Sequence, residues 1–409
     1  MELEIRAHTP DELWDYRTAV ARGFGYYPRE EPGERELYVS RHEPERTVVA
    51  ATGGKMVGTS VAYSYGLSVP GGKILPVAAV SDVTVAVTHR RRGILTQMMR
   101  RQLGQARERG EPASVLWASE SLLYRRFGFG MAVQHERWDI PREHGTIAHM
   151  PDTPGEVRFA SPAEIRTLAR DVYERTVELR PGMVTRNDAW WNTQLFDPEH
   201  RRGGMSAFFY AVYEEDGRTE GYIQYRIDNV WTKKHPDKSL KVVELMAATD
   251  SAHAALWQFC MSVDLVTTVT SEHQPVDDPL WWMLTDPRWL HREPFDAVWL
   301  RIIDPVKMLS SRTYSTEDKL VFEVRDKFCP WVAGRYEIDG GPAGAEVRPT
   351  NAEPDITMWG AGLGACYLGG SRFSSLVRAG RMEAKSADAM RRADLMFTAN
   401  RAPWCPQEF

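Results

Sequence analysis

The sequence predicts a mixed α/β protein with three domains, of which two are related to each other and the third is of α+β type. The 409 residues are 43% hydrophobic and 26% charged, a globular composition with enough length for two or three cores. Polar stretches at 140–157 and 304–313 interrupt the apolar patterning and favour domain boundaries there. We therefore expect domains at 1–150, 151–305 and 306–409.

In the first domain we predict a helix, a series of strands, and then a strand, a loop and a second helix. Its apolar residues either recur with helical spacing or alternate with the period of a half-buried strand. In order, the predicted elements are a helix at 12–20, strands at 48–51 and 57–65 joined at Gly53-Gly54, a strand or pair of strands at 74–80, a strand at 83–87, a helix at 94–106 and a strand at 115–117.

The middle domain repeats this order but has a different loop before its helix. Ala248–Ser251 stands where the first domain has Arg90–Gly93, so we interpret the middle domain as a second copy without that loop. The last domain has the mixed pattern of an α+β fold. The predicted elements of these two domains are strands at 207–213, 221–227, 241–247, 320–324, 336–338, 345–348 and 356–358, and helices at 252–263, 363–367, 374–377 and 387–397.

Composition argues against several classes of function. The 51 Lys and Arg against 56 Asp and Glu give a net charge of −5 without a basic half, so we expect no nucleic-acid partner. Neither a basic leader nor a run of about 18 apolar residues is present, so we expect a cytoplasmic protein with no membrane partner. The four cysteines form no CxxC pair and the 11 histidines no HExxH motif, so we expect reduced, buried cysteines and no metal site.

The loop Arg90-Arg91-Arg92-Gly93 has the residue types of a pyrophosphate-binding site. Backbone N–H groups at a helix start attract phosphate, arginines add positive charge, and glycine allows a close approach. The alternative is a basic, solvated helix start. The loop resembles the R/Q-x-x-G-x-G/A loop of GNAT acetyltransferases, which binds the pyrophosphate of acetyl-CoA, although Leu95 stands where that family has Gly or Ala.

Tyr124 opens a second motif, Tyr124–Phe129, which resembles the Y-x-x-x-G-F signature that follows the CoA-binding helix in GNAT enzymes. In those enzymes the tyrosine hydroxyl lies beside the thioester sulfur. A phenol within hydrogen-bond reach of that sulfur can act as a general acid. The alternative is a core tyrosine that packs against Phe127 and Phe129. The order and spacing of the two motifs favour the catalytic interpretation.

With further matches, the whole chain is similar to the Eis family (enhanced intracellular survival protein). The first domain adds the run His89–Leu95 and the residues Ala118–Glu120 ahead of Tyr124, and the last domain adds Cys366–Ser371 and the closing Glu408-Phe409. The resemblance implies tandem GNAT folds followed by a sterol-carrier-protein-like α+β domain. It also implies an acetyl-CoA-dependent N-acetyltransferase, without a metal, that assembles as a homohexamer.

The resemblance implies roles for individual residues. Tyr124 would be the general acid, and the C-terminal carboxylate of Phe409 would be the general base. A splay in the strand at 83–85 would expose an N–H group that polarises the thioester carbonyl. The residues expected to contact acetyl-CoA are Val83, Thr84, Val85, Arg91, Arg92, Gly93, Ile94, Leu95, Thr96, Ser119 and Glu120.

A terminal base makes physical sense of the apolar tail 403–409. A lysine-like amine titrates near ~10.4 and attacks only in its neutral form, so a carboxylate would attract the cation and accept its proton. An α-carboxyl group ordinarily has a pKa of about 3.5, which makes it a weak base unless desolvation or a water relay helps. The alternative is that Phe409 only fills an apolar gap.

We expect the acceptor to be a primary amine of a small molecule or peptide, with aminoglycosides, polyamines and lysine side chains as the candidate classes. Phe24 and Tyr26 offer either cation–π faces for the amine or ordinary packing surfaces, and Glu408 offers a second negative charge. Alternatives from other classes are a lipid carrier that uses the last domain and an inert scaffold. The first copy retains both the arginine loop and Tyr124, which favours the enzyme.

Overall fold

Two seven-stranded sheets, a five-stranded sheet and a two-stranded ribbon organise the structure, a computed structural model that describes residues 3–409. The strands β1 to β21 are Leu3–Arg6, Thr47–Thr52, Lys55–Ser68, Ile74–Val85, Ala113–Trp117, Gly130–Met131, Gln134–Pro141, Glu156–Ala160, Phe209–Glu215, Arg218–Ile227, Trp231–Thr232, His235–Pro236, Lys238–Ala247, Val266–Pro275, His291–Asp296, Val298–Ile302, Asp318–Arg325, Gly334–Gly341, Gly344–Pro349, Ile356–Trp359 and Met382–Ala384. The α-helices α1 to α12 are Leu13–Phe24, Glu34–Arg41, Ile94–Glu108, Ser121–Tyr124, Ile165–Leu179, Asp188–Leu195, Asp250–Ser262, Leu280–Met283, Pro305–Ser310, Gly360–Tyr367, Phe373–Arg378 and Ala387–Phe397.

The first sheet has the order β1-β2-β3-β4-β5-β16-β6. Its strands are antiparallel except for β4 and β5, which pair in parallel. A crossover is needed to join parallel neighbours, and α3 provides it. The apolar face of α3, including Met99 and Leu103, is fully buried, because helical spacing places these residues on the side that faces the sheet.

The second sheet has the order β15-β7-β14-β13-β10-β9-β8 and repeats the parallel pair as β13 and β14, which α7 joins. The two sheets exchange strands. The strand β7 precedes residue 150 in the chain yet pairs in the second sheet, and β16 follows most of that sheet in the chain yet pairs with β5 and β6 of the first. The first two parts of the chain are therefore joined by hydrogen-bonded strands.

Most of the elements predicted for the first domain match the structure, but one prediction was wrong. The residues 74–87 were predicted as two separate strands, whereas β4 runs without a break to Val85 and Val87 lies in a short 3-10 turn, Val87–His89. A bulge at residues 82 and 83 explains the error. One extra residue shifts the inward-facing positions by one place, which breaks the alternation that identifies a single strand.

The third sheet has the order β19-β18-β17-β20-β21, and the predicted strands and helices of the last domain are present, with α12 at its predicted limits. This domain packs on the first through α10, which contacts β6 and β16. A side chain at Gly130 would lie 1.9 Å from the carbonyl oxygen of Ala361, so only glycine permits this close approach. All four cysteines are buried and free, as the sequence predicts.

No helix within residues 3–409 is long and apolar enough to cross a membrane.

Candidate active site

A cavity of about 460 Å³ opens where β4 and β5 separate. The parallel ladder between these strands runs from Val77–Ala113 to Val80–Leu116. Beyond Val80 the strand β4 continues to Val85, whereas β5 ends at Trp117 and the chain turns away into α4. Diverging strands leave backbone groups of β4 without a neighbour on one side, which is where a ligand can form hydrogen bonds in place of a strand.

The bulge in β4 lies at this point of separation. Val61 pairs with Ser81 and Thr59 pairs with Thr84, so Asp82 and Val83 together face a single residue of β3. Asp82 has φ 54°, a left-handed backbone conformation that residues other than glycine rarely adopt. The Thr59 hydroxyl donates a hydrogen bond of 2.8 Å to the Asp82 carbonyl oxygen and holds this geometry. Bulges of this kind re-aim side chains next to functional sites.

The loop between β4 and α3 has an open helix N-terminus. Arg91 and Gly93 both have positive φ, at 63° and 77°, and Gly93 caps α3 without any side-chain hydrogen bond. The side chains of Arg91 and Arg92 are exposed. The first-turn N–H groups of α3 therefore point out of the helix with two cations beside them, an arrangement that attracts phosphate.

Two residues expected to contact acetyl-CoA through this loop turn their side chains toward the core, Ile94 buried and Leu95 half-buried. Ile94 is in a core cluster with Val57 and Met98, and Leu95 packs against the main core. Only their backbone N–H groups are oriented by the helix to serve an anion. Thr96 is half-buried on the next position of α3.

Tyr124 is 4% exposed and lines the cavity at the end of α4. Its ring packs edge-on against Phe129, with 6.0 Å between the ring centroids. Burial raises the pKa of Tyr124 to about 12, although the nearby Ser119 hydroxyl opposes this rise. The phenol therefore keeps its proton at neutral pH. Ser119 also lines the cavity, whereas Glu120 is exposed to solvent beside α4.

The C-terminal tail, residues 401–409, crosses from the second sheet to this cavity. The Trp404 backbone N–H donates to the Pro181 carbonyl oxygen at 2.9 Å, and its indole N–H donates to the His273 carbonyl oxygen at 2.8 Å. Further along, the Trp117 indole N–H donates to the Gln407 carbonyl oxygen at 3.2 Å. The tail is thus attached to both sheets, and its last two residues line the cavity.

A buried ion pair holds the C-terminal tail in place through Gln407. Arg186 and Glu244 have side-chain exposures of 0% and 3%, with 2.8 Å between Arg186 Nη2 and Glu244 Oε2. Arg186 Nε also donates to the Gln407 side-chain oxygen at 2.8 Å. The Phe409 ring lies 5.3 Å from the Tyr65 ring. Charge-assisted hydrogen bonds and ring packing together place the terminal residue.

Sequence reasoning missed several residues of the cavity because they lie on β7 and on the two strands of the second sheet that pair with it. Glu272 and His273 come from β14, Asp296 comes from β15 and Arg137 from β7. Burial lowers the pKa of His273 below its usual value, so the imidazole is neutral at neutral pH. Asp82 was missed as well, and a signal for it existed, since a carboxylate within an apolar strand is costly without a purpose.

The predicted substrate residues are divided between two cavities. Phe24 and Glu408 line the cavity that holds Tyr124 and Phe409. Tyr26 lines a second cavity of about 540 Å³, and Asp82 belongs to both. We call the first the tail cavity and the second the arginine cavity.

Comparison with known proteins identifies three segments. Acetyltransferase (GNAT) domain models match residues 4–132 and 182–302, and a sterol carrier protein domain model matches residues 305–406. Over 412 residues the chain is 37% identical to an uncharacterized N-acetyltransferase of Streptomyces avermitilis, with 100% of both chains covered. It is 33% identical over 362 residues to the N-acetyltransferase Eis of Mycobacterium tuberculosis, with 86% of this chain and 85% of that protein covered.

Solved structures agree with these matches. The structure of Eis1 from Mycobacterium abscessus has a TM-score of 0.86 and 32% identity, with 100% of both chains covered. A GCN5-related N-acetyltransferase from Anabaena variabilis also has a TM-score of 0.86, at 19% identity, which is a likeness of fold alone. The predicted fold of two GNAT domains followed by a sterol-carrier-protein-like domain is confirmed.

Proposed function

Because this chain belongs to the Eis family of GNAT N-acetyltransferases, we propose that it transfers the acetyl group of acetyl-CoA to a primary amine of a small molecule or peptide by direct attack. One observation carries the mechanism: Tyr124 and the terminal residue Phe409 line the same cavity, at the place where β4 and β5 separate. The cavity thus joins a proton donor, a carboxylate and open backbone groups.

The residues around the tail cavity fit acetyl-CoA. Its pyrophosphate suits the open N-terminus of α3 with Arg91, Arg92 and Gly93, because N–H groups and guanidinium groups both favour anions. The backbone of Val83, Thr84 and Val85 would hold the pantetheine and acetyl parts along the separated edge of β4. When bound, acetyl-CoA supplies an activated acetyl thioester. Ser119 and Glu120 would border this path.

The Phe409 carboxylate acts as the general base in this proposal. The substrate amine enters as an ammonium ion and must lose a proton before it attacks. The Phe409 carboxylate would attract the cation and accept that proton, directly or through water. The Phe409 ring packs against the Tyr65 ring, with 5.3 Å between the ring centroids, and this contact helps to place the terminal residue in the cavity.

Tyr124 acts as the general acid. Its buried phenol stays protonated at neutral pH and can donate its proton to the departing sulfur. The nearby Ser119 hydroxyl stabilises the phenolate that remains after the transfer. The ammonium nitrogen loses two protons on its way to the amide. The first passes to the Phe409 carboxylate and from there to water, and the second restores the Tyr124 phenol after it has protonated the sulfur.

Charge in the tail cavity favours a cationic acceptor. Asp82, Glu272, Asp296 and Glu408 line it, together with the Phe409 carboxylate, against the single cation Arg137 among the lining residues. Glu272 is paired with Lys241 at 2.9 Å, but the remaining carboxylates keep the cavity negative. A negative, partly dry cleft concentrates ammonium ions.

The cysteines do not support a covalent acetyl-enzyme route. None of the four lines the tail cavity as the structure describes it, from residue 3 to 409. Cys405 comes nearest in sequence to the base, and burial raises the pKa of its thiol to about 12. A buried, protonated thiol is a poor nucleophile.

The domain limits at 150 and 305 and the homohexamer remain predictions. Light scattering of the purified protein measures its mass in solution and so checks the homohexamer.

A panel of amines tests the proposal. The full chain is incubated with acetyl-CoA and an aminoglycoside, a polyamine or a lysine peptide, and thiol release is followed together with the mass of the product. We expect amine-dependent thiol release and a product heavier by one acetyl group. Binding of acetyl-CoA without turnover on any amine would favour the inert scaffold, and binding of fatty acid or sterol alone would favour the lipid carrier.

A further inference from the structure

The arginine cavity has the opposite charge to the tail cavity. Its lining includes the four cations Arg17, Arg29, Arg41 and Arg201 against the two anions Glu34 and Asp82. Glu34 is fully engaged, since Arg201 and His200 contact its carboxylate at 2.5 and 2.8 Å. The carboxylate of Asp82 is shared with the tail cavity. An excess of positive charge therefore faces the arginine cavity.

Two charged hydrogen-bond donors around this cavity have no acceptor. Arg17 Nη1 and Arg41 Nε are buried and make no hydrogen bond within residues 3–409. The buried Tyr38 hydroxyl lies beside the Asp82 carboxylate, where it opposes the rise in the pKa of Asp82 that burial causes. The side chains of Arg17 and Tyr38 are only 9% and 8% exposed. A buried donor without a partner costs free energy, more so when it is charged. Two such donors, on residues that line one cavity, indicate a ligand that supplies acceptor oxygens.

The donors are held in position by other contacts. Arg17 Nη2 donates to the Arg29 carbonyl oxygen at 2.7 Å, and the Arg17 guanidinium lies 5.1 Å from the centre of the Tyr38 ring. The Arg41 guanidinium lies 5.2 Å from the centre of the Trp190 ring. Stacking on aromatic rings restricts the guanidinium groups without using their N–H donors. The site is therefore preorganised to bind an anion.

The two cavities meet at Asp82, on the bulge of β4. We propose that the acceptor substrate carries an anionic group, a carboxylate or a phosphate, as well as its amine, and that Arg17 and Arg41 bind this anion while the amine enters the tail cavity. This inference rests on the proposed function, because it assigns the acceptor class of the same site. A polyamine, which lacks an anion, would leave the two arginine donors unpaired.

The test compares acceptors that differ only at the end remote from the amine. Aminohexanoate, aminohexyl phosphate and aminohexanol present a carboxylate, a phosphate or a neutral hydroxyl at matched length. For each, kcat/KM is measured by thiol release with the full chain and saturating acetyl-CoA. We expect at least one anionic acceptor to exceed aminohexanol by about tenfold or more, and the better of the two identifies the source of the anion.

Variants assign the effect to the arginine cavity. Arg41→Gln and Arg17→Gln should each lower the ratio of anionic to neutral kcat/KM by about tenfold. Arg41 is half-buried and offers the safer variant if Arg17→Gln unfolds, which thermal unfolding will show. Arg35→Gln is the matched control, because Arg35 is an exposed arginine of α2 outside both cavities, and it should leave the ratio unchanged.

Two outcomes would overturn the inference while the proposed function stands: aminohexanol turned over as well as both anionic acceptors, or an unchanged ratio in Arg41→Gln. Absence of thiol release with these acceptors and with the whole amine panel would instead refute the proposed function, and the acceptor assignment with it.

Discussion

The two GNAT domains separate the same pair of strands but use the gap differently. In the first, β4 and β5 diverge beyond Val80 and leave a cavity. In the second, the parallel ladder between β13 and β14 ends at Val242, and the chain's own tail occupies part of the space beyond it, which leaves a smaller cavity of about 290 Å³. Trp404 packs with Met246 of β13 in one core cluster and bonds to the His273 carbonyl oxygen of β14.

The loops before the two crossover helices differ in the same sense. The helix α3 begins at Gly93 with no side-chain cap and no acidic residue in its first turn. The helix α7 begins after Thr249, whose side chain accepts from the Ala252 N–H, and it carries Asp250 in its first turn. A capped, acidic N-terminus repels phosphate, whereas an open one attracts it. The second copy lacks the arginine–glycine loop of the first and provides an attachment for the tail.

Extension of the chain beyond Phe409 should have the largest effect. A Gly-Ser dipeptide added after Phe409 moves the carboxylate away from the cavity, and we expect kcat to fall by about 100-fold or more with acetyl-CoA affinity retained. Steady-state kinetics and calorimetric titration measure the two quantities. The control carries the same dipeptide between Pro342 and Ala343, an exposed hairpin turn of the last domain. A normal kcat in the extended enzyme would show that the Phe409 carboxylate is not the base.

Loss of the tail's attachment to the second domain should have the next largest effect. Arg186→Met leaves the carboxylate of Glu244 buried without its cation, which should lower the free energy of unfolding by about 3 kcal/mol and lower kcat as well. Chemical denaturation measures the former. Arg170→Met, which breaks an exposed pair with Glu174, should cost less than about 1 kcal/mol. If Arg186→Met lost stability but kept full activity, the tail would not depend on this attachment.

Substitution of the proposed general acid should have the third-largest effect. Tyr124→Phe should lower kcat by about 100-fold and leave the KM for acetyl-CoA within about twofold. Because burial raises the pKa of Tyr124 to about 12, half of the phenols lose their proton only at about that pH, and the wild type should show no fall in kcat from this group up to about pH 10. Tyr336→Phe removes a buried hydroxyl that bonds to Val332 and should leave kcat unchanged. A weaker affinity for acetyl-CoA as the only defect of Tyr124→Phe would contradict the acid role.

The smallest effect is expected from substitutions near the starts of the two crossover helices, α3 and α7. Arg91→Gln should raise the KM for acetyl-CoA by about tenfold with little change in kcat, because in the proposed function Arg91 contacts the pyrophosphate. Ser251→Ala, in the first turn of α7, should leave the KM unchanged. Equal effects of the two variants would mean that the loops do not differ in cofactor binding.

Local patterns predicted much of this molecule. The amphipathic spacing of α3, the hairpin of β2 and β3 and the strands of the last domain all follow from residues that are neighbours in the sequence. The bulge at Asp82 was hidden, since an extra residue disrupts the pattern that defines a strand. Asp82 nevertheless joins the two cavities, so the break in the pattern marks the centre of the site.

The arginine loop, the tyrosine motif and the duplicated order of elements can be identified from the sequence, because each depends on residues that are close together in the chain. Which residues meet in the cavities depends on the tertiary structure. The exchange of β7 and β16 between sheets brings Glu272 and Asp296 to the tail cavity, and the folding of α1 and α2 over Asp82 brings Arg17 and Arg41 together. Pairing between distant strands and the burial of charge depend on the whole fold, and no local pattern encodes them.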